Sequence, residues 1–154
     1  MTISFLPRSS AAVANTILQL AIEDGVPSGQ MPNALRLQRL VYIAHGYSLA
    51  ILNSRLVSDR LLALDVGPIF PALREATEHF DASPIAVPIA CRDRGPFAHA
   101  QGVLIDRIWL KYGQLESTAL HALAYDADSP WAMTAPDYDI APEKIAAYFL
   151  RRAA

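Results

Sequence analysis

Residues 35–52, LRLQRLVYIAHGYSLAIL, constrain the fold more than any other stretch of the chain. The run is apolar almost throughout, yet it is too short and too interrupted to cross a membrane, which takes about 20 continuous apolar residues. With Leu37 set to zero and about 100° turned per residue, Leu37, Leu40, Val41, Ala44, Ser48 and Ile51 share one arc. Arg36, Arg39 and Gly46 fall opposite or nearly so. Apolar residues fill much of the remaining circumference, as expected of a central helix packed on several sides. The helix should span about 33–52, with Pro32 at its start and Asn53 as its breaker.

Three polar side chains accompany that apolar surface. His45 lies about 80° from Leu37, Gln38 about 100° and Tyr42 about 140°. Together they make a strip of imidazole, amide and phenol beside the core. Buried polar atoms need partners, so such a strip can satisfy the backbone of a crossing loop. The same strip can instead line a pocket. A general base also needs a residue to orient it, and the sequence presents no obvious one.

The flanking segments predict further helices. SSAAVANTILQLAIED (9–24) has serines suited to an N-cap and Gly25 as its stop. Residues 54–66 hold no helical period and predict a loop with an extended segment. Gly67-Pro68 predicts a turn, and Pro71 opens a short helix to about Phe80. PIAVPIAC (84–91) predicts a short edge strand, because proline is poorly placed in a central one. QGVLIDRIWLKY (101–112) predicts a helix with Val103, Leu104, Ile108 and Trp109 on one side. A helix from Ser117, with Leu120, Leu123 and Ala124 inward, then the loop around Pro130-Trp131, and a last helix from Pro142 complete the chain. The fold class is mainly α: a bundle of five or six helices around the 33–52 helix, in a single domain over 1–154.

Composition narrows the functions. The 154 residues carry a formal net charge of -2, so no strongly basic face is forced and autonomous nucleic-acid binding is not expected. The single cysteine, Cys91, can form neither an internal disulfide nor a cysteine zinc site, which suits a reducing cytoplasm. MTISFLPRSS at the N-terminus does not read as a secretory signal. No histidine pair has the i, i+4 spacing of a helical zinc site, and no phosphate-cradling glycine loop or GxSxG appears. The aspartates around the Pro130-Trp131 loop do not match a calcium loop. No metal, no cofactor and no catalytic residue is expected, and Cys91 reads as a small half-buried side chain.

The order of motifs is itself informative: ANTILQLA, LRLQRLVYIAHGYSLA, ALDVGPIFPALREATEHF, LKYGQLESTALHALAYDADSPW and IAPEKIAAYF. This series resembles the Panacea domain family, the SocA-like or phage-associated antitoxin proteins, over about residues 12–150. The matching positions include Leu37, Gln38, Leu40, Tyr42, Ala44, His45 and Gly46. Gly67, Pro68, Tyr112, Gly113, Pro130 and Trp131 match as well. Leu64, Leu73 and the Ala124-Tyr125 pair depart from the family pattern, which has tryptophan, tyrosine and threonine-histidine there.

The resemblance implies a protein-binding module that neutralises a cognate toxin encoded nearby, by direct binding or by delivery to a protease. Gln38, Tyr42, His45, Gly46, Gly67, Pro68, Pro130 and Trp131 are then structural or partner-binding candidates. His45 and Gln38 would brace the loop carrying Gly67-Pro68, and Trp131 would cover an end of the bundle. The competing reading is a small accessory protein or enzyme with a pocket lined by Gln38, Tyr42 and His45. The sequence names neither the toxin nor the oligomeric state.

Overall fold

A computed structural model describes residues 5–153; the first four residues of the N-terminal stretch and the last residue of the chain lie outside it. The long helices are α1 (Ser10–Glu23), α2 (Ala34–Tyr47), α4 (His99–Tyr112) and α6 (Pro142–Ala153). The short ones are α3 (Pro71–Thr77) and α5 (Ser117–Tyr125). A two-stranded antiparallel hairpin, β1 (Leu62–Leu64) and β2 (Gly67–Ile69), completes the mainly α fold. α2 is the central element, packed against α1, α3, α4, α5, α6 and β2.

Local chemistry explains the helix starts. The Ser9 hydroxyl caps α1 by accepting from the Ala12 N–H at 3.1 Å. Asn33 caps α2 through the Arg36 N–H at 2.9 Å. α4 begins at His99, two residues before the expected start, and Gln101 Oε1 accepts the Ala98 N–H that opens it. Proline opens α3 and α6, where its missing N–H costs nothing.

The central helix does end at Leu52, but not as a single α-helix. Ser48–Leu52 form a π-helical turn, and Asn53 stops it in the left-handed region at φ 51°. A π turn takes more residues per revolution than an α turn, so the 100° count fails beyond Tyr47. Leu37, Leu40, Val41, Ala44 and Ser48 are buried as that count expects, whereas Ile51 is rotated out and is 56% exposed. Gly46, expected on the outer side, is buried under the Phe149 ring of α6.

Two further expectations are corrected. Gly67-Pro68 is not the turn: Asp65 and Val66 make the turn, and Gly67-Pro68 begin β2. The register Ala63↔Pro68 and Leu64↔Gly67 leaves the proline without a ladder N–H to offer, as an edge strand tolerates. PIAVPIAC forms no strand. It is an irregular segment whose Ile85 and Ile89 are buried, tied by the Ile85 N–H to the Pro32 carbonyl at 3.0 Å. The segment 137–140 pairs with the outer side of β1 through Asp137 N–H to the Ala63 carbonyl and Ile140 N–H to the Leu61 carbonyl.

Candidate functional site

Gln38, on α2, is 3% exposed and spends its whole amide on one residue. Its Oε1 accepts the Phe70 N–H at 2.9 Å, and its Nε2 donates to the Phe70 carbonyl at 3.0 Å. Phe70 links β2 to α3, so this pair fixes where the chain leaves the hairpin for α3. An amide matches a peptide group in donor and acceptor spacing, which is why one glutamine can replace a missing strand there.

His45, two turns further along α2, faces the other side of the same junction. Its Nδ1 accepts the Val57 N–H at 3.1 Å, and its ring meets the Phe70 ring edge-on at 5.8 Å. An accepting Nδ1 puts the proton of the neutral ring on Nε2. Burial, with a smaller contribution from the Arg55 charge, lowers the His45 pKa to about 3. His45 is therefore neutral across the physiological range. It braces Val57, before the hairpin, whereas Gln38 braces Phe70, after it; the hydrogen bond expected from His45 toward the Gly67-Pro68 segment goes to Val57.

Tyr42 parts from the strip. It lies against α6, edge-on to Phe149 at 5.5 Å, and its Oη is the one buried side-chain polar atom without a hydrogen-bond partner among the described residues. Burial drives its pKa upward. Gly46 sits one turn on, where a Cβ would overlap the Phe149 ring, so the absent side chain is what lets α6 approach α2.

Of the Gly67, Pro68, Pro130 and Trp131 candidates, Gly67 and Trp131 are brought together by Tyr125, and Pro68 is buried in β2. The Trp131 indole N–H donates to the Leu64 carbonyl at 2.6 Å, and its ring packs on Tyr125 at 4.7 Å. Gly67 has φ 113° and faces Tyr125, whose Oη would lie 3.1 Å from an added Cβ. Pro130 is buried beside Trp131. Leu64 and Tyr125, two of the positions that depart from the family pattern, thus belong to one cluster. Leu73, the third, is fully buried in the core.

Side chains missed by sequence reasoning use the same device as Gln38. Asn15 on α1 accepts the Ile89 N–H at 2.7 Å and donates to the Ile89 carbonyl at 2.9 Å. Gln101 Nε2 donates to the Leu6 carbonyl at 3.1 Å. Their only signal was a polar amide within a helix, out of place for Asn15 but ordinary for Gln101, since glutamine is a good helix former.

Cys91 is drawn into a small polar knot. Its thiol donates to Asp93 Oδ1 at 3.0 Å, and the same carboxylate accepts the Ser9 hydroxyl at 2.5 Å. Burial and the Asp93 carboxylate push the thiol pKa up, so Cys91 stays protonated at neutral pH and is a poor nucleophile. Among the described residues no group of three histidine, cysteine, aspartate or glutamate side chains is placed to hold a metal ion. No helix among them is long and apolar enough to cross a membrane.

The residues that recur as motifs are thus spent on joints: two polar side chains of α2 and one indole hold a hairpin between α2 and the 125–131 corner. This is a helical scaffold in which the motif defines the architecture. The model of the family described as "Antitoxin SocA-like, Panacea domain" matches residues 37–132, and the chain belongs to that family. No curated protein and no solved structure matches the chain.

Proposed function

We propose that this chain is an antitoxin-type binding module that neutralises a toxin protein encoded beside it, by holding it directly or by delivering it to a protease. Membership of the SocA-like antitoxin family supports this reading. The observation that carries it is the state of His45. The imidazole of the AHG motif is 4% exposed, neutral, and engaged by the Val57 amide, so it acts in the scaffold and leaves function to the surface. Gln38 is equally committed, to Phe70. The pocket alternative needs both side chains free to meet a substrate.

The same reading places the protein in the cytoplasm, without catalytic activity, cofactor or DNA binding of its own. Affinity for the partner would reside in a few surface anchors surrounded by near-neutral contacts. Expression of each flanking gene product alone and together with this chain tests the proposal. Growth arrest that this chain relieves, with the two products eluting as one complex, is the expected result. Arrest unrelieved by this chain would overturn it.

A further inference from the structure

α4 presents a row of side chains four residues apart: His99, Val103, Arg107 and Lys111. Residues at i, i+4, i+8 form one ridge of a helix, and this one is about 18 Å long. The ridge walls a groove of about 520 Å³. The π-helical turn forms the opposite wall, and it turns Ile51 outward, 56% exposed, and Leu52 beside it. At the bottom the Tyr47 and Tyr112 hydroxyls share a hydrogen bond of 2.7 Å.

The groove has a marked sign of charge. Among the described residues its charged lining consists of Arg107, Lys111 and Arg152, with no carboxylate, in a chain whose net charge is -2. Arg152 is held by Asp126 at 2.7 Å. Arg107 and Lys111 are exposed and make no ion pair among the described residues; Lys111 lies over the Tyr112 ring at 5.3 Å. Asp106, next to Arg107 in sequence, borders a different hollow. An apolar trough with two uncommitted cations on one rim calls for an occupant that is apolar on one side and anionic along its edge.

We propose that this groove is the docking site for an amphipathic, acidic helix of the partner protein. Its apolar face lies on Val103, Ile51 and Leu52, and its carboxylates, one turn apart, meet Arg107 and Lys111. Helix-in-groove recognition reads anchors at the same i, i+4 spacing that the ridge displays. The π turn contributes by presenting Ile51, which an α-helical continuation would have placed on the buried arc. The proposal rests on the binding-module reading and names the surface that reading leaves open.

Two synthetic helical peptides of about 14 residues, long enough to cover the ridge, probe the groove directly. Both carry the same leucine face; one has glutamates on its flank and the other lysines. Fluorescence anisotropy in ~0.15 M salt should show the glutamate peptide binding at least about tenfold tighter. The double variant R107E/K111E should invert that preference. Both residues are exposed, so an unchanged melting temperature separates the effect from misfolding. Equal binding of the two peptides, no binding of either, or an unchanged preference in the double variant would overturn the groove. Laurate that saturates the groove without displacing the glutamate peptide would overturn it too.

Co-expression separates this proposal from the one it rests on. If R107E/K111E neutralises a flanking toxin as well as the wild-type chain does, the antitoxin reading stands and the groove falls. If the wild-type chain neutralises none, the antitoxin reading falls, and the peptides still judge the groove.

Discussion

The side-chain amide of Gln38 pairs with both backbone groups of Phe70, 32 positions away, at 2.9 and 3.0 Å in the buried interior. It stands in for a strand at the one place where the hairpin passes into α3. Replacing Gln38 with leucine leaves the Phe70 N–H without a partner, while the Phe70 carbonyl keeps the Arg74 N–H at 3.1 Å. An orphaned buried group costs about 1–3 kcal/mol, so Gln38→Leu should lose that much in urea unfolding. Gln38→Glu keeps the acceptor, loses the donor and should fail at neutral pH to recover the loss. A loss below about 0.5 kcal/mol for Gln38→Leu would show that the pair is dispensable.

His45 links stability to pH. Its pKa is about 3 in the fold, against about 6.5 unfolded, so the unfolded state binds the extra proton between those values. The contribution is fully present above pH 6.5 and is lost as pH falls toward 3, at up to about 1.4 kcal/mol per pH unit. His45→Phe removes this slope while orphaning the Val57 N–H, at a cost of about 1–3 kcal/mol at pH 7. Urea midpoints between pH 5 and 7 should therefore rise with pH more steeply in the wild-type chain than in His45→Phe. Parallel slopes would contradict the buried neutral imidazole.

Tyr42 reverses the usual expectation for a buried hydroxyl. Its Oη has no partner, so Tyr42→Phe removes an unsatisfied polar atom and keeps the ring against Phe149. The variant should be as stable as the wild-type chain or more so by up to about 1 kcal/mol. A clear loss in the thermal midpoint would mean that the hydroxyl is used.

At Gly46 of α2 the Phe149 ring of α6 fills the space a Cβ would need. Gly46→Ala drives a methyl into the Phe149 ring and should destabilise by about 1–3 kcal/mol. Combining it with Phe149→Leu should give a double variant less destabilised than the sum of the singles, because the two changes relieve one clash. Additivity would place the strain elsewhere.

Much of this scaffold was legible in the sequence. The 3.6-residue period of 35–47 places Leu37, Leu40, Val41 and Ala44 correctly; of the strip of Gln38, Tyr42 and His45, Gln38 and His45 hydrogen-bond crossing backbone and Tyr42 does not. Beyond Tyr47 the period misleads, because a π turn leaves no mark in composition and moves Ile51 from the core to the rim of a groove. The 84–91 segment reads as an edge strand because it is a short apolar run carrying two prolines. Its backbone is satisfied by the Asn15 side chain and the Pro32 carbonyl, partners that no local pattern announces. The convergence of Leu64, Gly67, Tyr125 and Trp131 depends on tertiary contacts between segments about 60 residues apart. The Arg107–Lys111 row is visible as i, i+4 spacing, but it becomes a groove wall only once the π turn lies opposite.

The most direct test of the binding-module account is growth of cells that express each flanking gene product with and without this chain, followed by gel filtration of the co-expressed pair. The account predicts one neighbour that arrests growth alone, growth restored by this chain, and a single peak containing both proteins. A toxic neighbour that this chain neither restrains nor binds would contradict it.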